Sequence, residues 1–271
     1  MTLFLSVSKK IISYTTSKEG CWHKFQSISS DIMRGVTTQS SPYASPWFSG
    51  LTVLLIATTI GNALRSDSAN SNPSPNGYSN DDPVTELVNA GLITALAISL
   101  SIQVRAGFLN RKNVLDGVDV VLGVIVASAD FLYSSLSIHK QIMILQFSPS
   151  QLINITDEGV LPNQTTDQAF EQEPIMTAAT YSSLSGFFLK CLILSTRSYH
   201  ELKLKNKVPD SIEKTKLGLQ FNVFQNSVAT LGDLLLFVTL FTHNRTAPHI
   251  ANSLFLMMGA LSVAVSIAAN K

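Results

Sequence analysis

Six stretches of this chain, residues 47–64, 87–104, 118–138, 178–195, 221–242 and 251–269, are nearly free of charge. Each is long enough to cross a bilayer. A helix rises ~1.5 Å per residue, so 18 residues reach about 27 Å, close to the ~30 Å hydrocarbon core. In lipid such a segment must satisfy every backbone N–H and C=O internally, which makes it a helix. Charged residues are only 14% of the chain and the mean hydropathy is +0.24. Soluble domains carry about 25% charge. Six such runs in a chain so poor in charge disfavour a soluble protein with buried helices. The expected fold is all-α: an integral membrane protein with six transmembrane helices.

The basic residues orient it. With the N-terminus inside, Lys9, Lys10, Lys18, Lys24, Arg34, Arg105, Arg111, Lys112, Arg197, Lys203, Lys205, Lys207, Lys214, Lys216 and Lys271 fall on the inner side. Only Arg65, Lys140 and Arg245 fall outside, and Lys190 lies in the membrane. Positive charge is retained on the cytoplasmic side, so both N- and C-termini are expected to be cytoplasmic. Residues 1–46 then form a basic, polar cytoplasmic tail and 47–269 the membrane domain. Its outer loops are 65–86, 139–177 and 243–250, and its inner loops 105–117 and 196–220. The N-x-S/T sequons at Asn154, Asn163 and Asn244 all fall on the outer side, where they would accept glycans in a eukaryote.

Other classes have little support. A net charge of +1 gives no field for a nucleic-acid partner. Two cysteines, Cys21 and Cys191, cannot make a cysteine-based zinc site, and the five histidines are scattered. No metal or cofactor is expected. No phosphate-binding glycine loop, HExxH or nucleophile–base–acid set occurs, so the chain is not read as an enzyme. Met1–Ser8 is too short for a signal peptide, whereas the basic, acid-poor start also suits an organelle transit peptide. The expected location is a bacterial inner membrane or a eukaryotic endomembrane or plasma membrane, with a mitochondrial membrane as a further option. The expected partners are the bilayer and other membrane subunits or further copies of the chain.

Ionisable residues inside a membrane are expensive and mark candidate sites. On the third span, Asp116, Asp119, Gly123, Ala127, Asp130 and Ser137 share one side at 100° per residue. On the fifth, Asn222, Gln225, Asn226, Ala229 and Asp233 do so. Each stripe should face protein or water. Asp130 and Asp233 each lie 12 residues past the inner edges at 118 and 221, so equal depth is expected. Lys190 is expected within about one turn of that level, bridging to them. The candidate ion or proton path is therefore Asp130, Asp233, Lys190, Asn226, Gln225 and Asp119. Small residues repeating every four positions, Gly91/Ala95/Ser99 and Ala260/Ala264/Ala268, are expected packing seams.

The run Asn113-Val-Leu-Asp116 before Val120-Val121 resembles the inner start of the third helix of voltage-sensor domains. In that family an N-x-L-D-like pattern places an aspartate at the inner charge-transfer site. The resemblance covers roughly a tenth of the chain. It implies a fourth helix with arginine at every third residue, whereas this one reads AATYSSLSGFFLKCLILS with Lys190 alone. The family is not assigned.

Two functions are consistent with these residues. One is a non-enzymatic membrane component: an accessory subunit, an organiser or a membrane-inserted effector. The other is a small proton- or cation-linked carrier or channel, its path between the third, fourth and fifth spans.

Overall fold

A computed structural model describes residues 21–35, 42–69, 83–111, 114–146, 163–209, 215–242 and 246–269. The fold is all-α. The helices are α1 (Cys21–Gly35), α2 (Pro46–Ala69), α3 (Pro83–Leu109), α4 (Val114–Gln146), α5 (Asn163–Lys207), α6 (Lys216–Thr242) and α7 (Thr246–Ala269), with a short 3-10 turn at Pro42–Ala44. Pro46 and Pro83 open α2 and α3. Proline costs nothing at that position, because the first-turn N–H has no intrahelical acceptor.

The helices α2 to α7 form a ring. Each packs on its neighbour in the chain, and α7 closes back onto α2. The shared interior is built from Phe48 and Ile56 of α2, Leu96 and Leu100 of α3, Val126 of α4, Cys191 of α5, Ala229 of α6 and Phe255 and Met258 of α7. Tyr43, from the short turn, enters that core. Its ring meets Phe48 edge-on at 5.2 Å and Phe187 at 6.1 Å. The turn is tied down by Gln103, which donates to the Pro42 carbonyl.

The outer surface is apolar. Ile98, Val121, Val124, Leu132, Leu231, Leu234 and Ile267 all face outward. Hydroxyls on these helices mostly bond back to their own backbone: Thr94 to Ala90, Ser101 to Ala97, Thr230 to Asn226 and Thr239 to Leu235. Bonds of this kind let serine and threonine sit in lipid without an unsatisfied donor.

Among the described residues, four helical segments are long and apolar enough to cross a membrane: Val84–Leu109, Pro174–Lys207, Lys216–Thr239 and Ala247–Ala269. Six were expected. The apolar part of α2, Pro46–Gly61, is shorter than the others. The 33-residue α4 carries Asp116, Asp119 and Asp130 and falls outside the four.

Helices also extend into segments read as loops. The α4 helix continues to Gln146, α5 begins at Asn163 and runs to Lys207, and α6 begins at Lys216. Inside the expected polar tail, α1 is an amphipathic helix. Ile28, Ile32 and Met33 pack against Phe221, Leu261 and Val265, while Lys24 and Asp31 face outward. The Thr215 hydroxyl donates to the Asp31 carbonyl and fixes α1 to the start of α6.

The expected small-residue seams lie only in part at helix contacts. Ala268 is buried and Ala95 and Ser99 half-buried, but Gly91, Ala260 and Ala264 are exposed, and a β-carbon on Gly91 would meet nothing within 4 Å. Close approach occurs instead where Gly186 faces α4. A β-carbon there would fall 2.8 Å from Val126 Cγ2. Val126 is buried and its β-branched side chain has little freedom to yield. Gly186→Ala should therefore destabilise by about 1–3 kcal/mol. Gly91→Ala should be neutral or gain up to about 1 kcal/mol in helix propensity. Thermal melts in detergent measure both, and equal shifts for the two variants would refute the close α4–α5 contact.

Candidate functional site

The polar groups of the ring interior fall into two sets, an α4–α5 ladder and an α6 stripe. The ladder is antiparallel. Ser183 of α5 donates to Asp130 of α4 at 2.5 Å. One turn further along α5, Gly186 packs on Val126, and next Lys190 lies beside Gly123. Lys190 Nζ reaches one turn beyond Gly123 to Asp119, at 2.5 Å from Oδ1 and 3.3 Å from the backbone carbonyl. Gly123 also lets Val104 of α3 approach, since a β-carbon there would clash with Val104 Cγ2. At the end of the ladder where α4 begins, Arg197 pairs with Asp116 and, at 3.2 Å, with Glu201.

The Lys190–Asp119 pair is well shielded, its side chains 7% and 14% exposed. Arg197 is wetter, at 32%, while its partner Asp116 is as shielded as Asp119, at 13%. Shielding decides the energetics. Removing one partner from a buried pair leaves a lone charge and costs several kcal/mol, whereas replacing both is far cheaper.

This geometry corrects the expected cluster. No hydrogen bond or ion pair among the described residues joins Asp130, Asp233 and Lys190. The ladder sets Lys190 opposite Gly123, seven residues from Asp130. Seven residues are about 10.5 Å of rise, roughly two turns, and too far for the lysine stem. The expected equal depth of Asp130 and Asp233 fails for the same reason. Ser195 meets Ser227 at 2.8 Å, which sets the α5–α6 register and brings Asp233 to the level of Lys190. Consistently, Cys191 lies within electrostatic reach of Asp233, Lys190 and Asp119.

The α6 stripe is deeply buried: Asn222 and Asn226 at 0%, Gln225 at 1% and Asp233 at 3% exposure. Gln225 Nε2 donates to Ser262 Oγ of α7 at 2.5 Å, and Asn226 Nδ2 donates to the Asn222 carbonyl at 2.9 Å. The oxygens on the other side of these groups, Gln225 Oε1, Asn226 Oδ1 and Asp233 Oδ2, are buried and accept no hydrogen bond from the described residues.

Sequence reasoning missed Ser183, Arg197, Ser262 and Tyr43. Arg197 had a signal: it stands seven residues from Lys190, on the same helix face, opposite acids three residues apart. Tyr43 had none, because it precedes the first span. No group of three or more His, Cys, Asp or Glu side chains able to hold a metal occurs among the described residues. Asn154 and Asn244 lie outside the described residues. Asn163 opens α5, and its side chain also lies outside them.

Compared with protein-family models, curated proteins and solved structures, the chain gives no match in any of the three.

A double-mutant cycle checks the ladder. Lys190→Met or Asp119→Asn alone should each cost about 3 kcal/mol. The double change should cost well under the sum, with a coupling above ~1 kcal/mol in detergent melts. Additive losses would mean that the pair does not hold α4 to α5.

Proposed function

We propose that the chain is a six-span membrane protein with both ends on the cytoplasmic side, acting as a non-enzymatic membrane component: an accessory subunit, an organiser or a membrane-inserted effector. The observation that carries this reading is the pairing of the two inward-facing cations with carboxylates. Lys190 is held by Asp119, and Arg197 by Asp116 and Glu201. Charges engaged this way fasten helices to each other and need no ligand. Two features support counting α2 and α4 with the four apolar spans. Both are full members of the ring, and both turn apolar side chains outward, Leu54 from α2 and Val121, Val124 and Leu132 from α4. The inner-side excess of lysine and arginine supports the orientation.

A second reading, a small proton- or cation-linked carrier or channel between the third, fourth and fifth spans, is favoured by one observation. Buried acceptors on α6, among them Gln225 Oε1, Asn226 Oδ1 and Asp233 Oδ2, have no donor among the described residues. Structural fastening does not require them.

Two experiments test these readings. In proteoliposomes with a pH or sodium gradient, a non-transporting component gives no flux from folded wild type. Gradient-driven flux abolished by Asp233→Asn would replace the first reading with the second. For topology, Thr177→Cys and Lys203→Cys, both at exposed positions, should label from opposite faces of sealed vesicles in a Cys21→Ser background, Lys203→Cys from the cytoplasmic face. Labelling of both from one face would overturn the topology.

A further inference from the structure

We propose that the end of the ring where α4 begins carries a basic collar that binds the headgroups of anionic phospholipids. The proposal goes beyond both readings above, since it holds for a component and a carrier alike. It rests on the six-span bundle proposed there, but not on which face is cytoplasmic.

Contacts that share one level locate the bilayer edge. Arg197 of α5 pairs with Asp116 of α4. Ser195 meets Ser227, so Gln225 of α6 lies level with Arg197, and Gln225 in turn reaches Ser262 of α7. On α2, Ser49 and Val53 face Gly259, which puts Trp47 within about one turn of the level of Ser262. Apolar side chains stay exposed down to this level. Trp47 is 78% exposed, and the α3–α4 turn exposes Leu109 at 70% and Val114 at 83%. A patch of this kind is unfavourable in water and belongs at the lipid edge, where an indole is preferred.

Past that level the surface turns basic. On α5, Lys203 and Lys207 stand about 9 and 15 Å beyond Arg197, and on α6 Lys216 stands about 14 Å beyond Gln225. Arg34 of α1 lies near the start of α6, where the Asp31 carbonyl accepts from Thr215. Arg105 and Arg111 stand at the α3–α4 turn, the Arg111 guanidinium 4.6 Å over the half-exposed Phe108 ring. All six cations are exposed, and none forms an ion pair with a described residue. Asp116 and Glu201 are engaged by Arg197, which leaves Asp31 as the exposed acid of this layer among the described residues.

Orientation alone does not require such an arrangement, because acids barely affect it and could have paired with these cations. Headgroups add about 5–8 Å to each side of the hydrocarbon, and the long stems of lysine and arginine reach back into that layer. An anionic headgroup there answers the unpaired charge, whereas a zwitterionic one offers no net field.

The test uses the full chain in nanodiscs of phosphatidylcholine with about one third phosphatidylglycerol, one or the other lipid spin-labelled. Phosphatidylglycerol should be enriched about threefold over phosphatidylcholine among the motionally restricted lipids at the protein surface. Sodium chloride at ~1 M, where the Debye length is about 3 Å, should bring that ratio close to one. The combined change Arg34→Gln, Lys203→Gln, Lys207→Gln and Lys216→Gln should do the same, and Lys140→Gln, at the far end of α4, should not. In a Trp22→Phe background, Trp47 should be quenched more by a nitroxide near the headgroup than by one at the bilayer centre. Equal restriction of the two lipids around the wild type would overturn the proposal, whether or not the combined variant folds. It is also overturned by enrichment that survives in the folded combined variant, by displacement of the lipid with inorganic phosphate at constant ionic strength, or by the reverse order of quenching. The topology is read separately from the two cysteine variants above, because both leaflets of a nanodisc carry the same lipids.

Discussion

A lysine in the middle of a helix that faces lipid on one side and protein on the other has one tolerable direction: toward a carboxylate. The Lys190–Asp119 pair meets that requirement, and the arrangement of α4, α5 and α6 depends on it. Between helices in a bilayer there is no hydrophobic drive of the kind that packs soluble cores, since lipid tails are as apolar as leucine. Register must come from polar contacts and from shape. On the α4–α5 interface both agree. Ser183–Asp130, Gly186 on Val126, Lys190 beside Gly123 and Arg197–Asp116 all describe one antiparallel alignment.

The rest of the ring follows the same logic with weaker groups. Thr58 and Asn89 join α2 to α3, Ser195 and Ser227 join α5 to α6, and Gln225 and Ser262 join α6 to α7. Shape complements the last of these, where Gly232 lies under the Phe255 ring, and at the α7–α2 contact Gly259 lets α7 approach Val53 and the Ser49 carbonyl. At α4–α5 and α6–α7 a polar contact and a close approach occur together, the polar group setting register and the glycine setting distance.

Much of this was legible in the chain. Low charge and six apolar runs gave the all-α class, and the helical spacing of Asn222, Gln225, Asn226, Ala229 and Asp233 picked out a face that is buried in the fold. The partners were not legible, because they depend on register between helices that the sequence leaves open. Depth counted from assumed span edges placed Asp130 level with Asp233, while the contacts of Ser183 and Ser195 put them at different levels. The small-residue seams held only in part, for a related reason. A four-residue repeat marks a face able to approach another helix, but the faces used on α3 and α7 carry Leu96, Ala97 and Leu100, and Phe255, Met258 and Ser262. Large side chains interlocking with a glycine on the facing helix leave no such repeat. The amphipathic α1 was hidden by composition, since its polar face dominates a tail count.

The difference between Asp130 and Asp233 is the sharpest consequence of the register. Both are aspartates on inward-facing stripes, and on sequence alone they looked equivalent. Asp130 is answered by a hydroxyl from the neighbouring helix. Asp233 sits at the level of the membrane-embedded lysine, yet that lysine is drawn across α5 to α4. Helix geometry accounts for the choice. Lys190 projects from the face of α5 that meets Gly123, and Cys191, the next residue and 100° round, is the one turned toward α6. The ladder that fastens α4 to α5 therefore leaves α6 with a buried acid and buried amide oxygens that accept no hydrogen bond from the described residues.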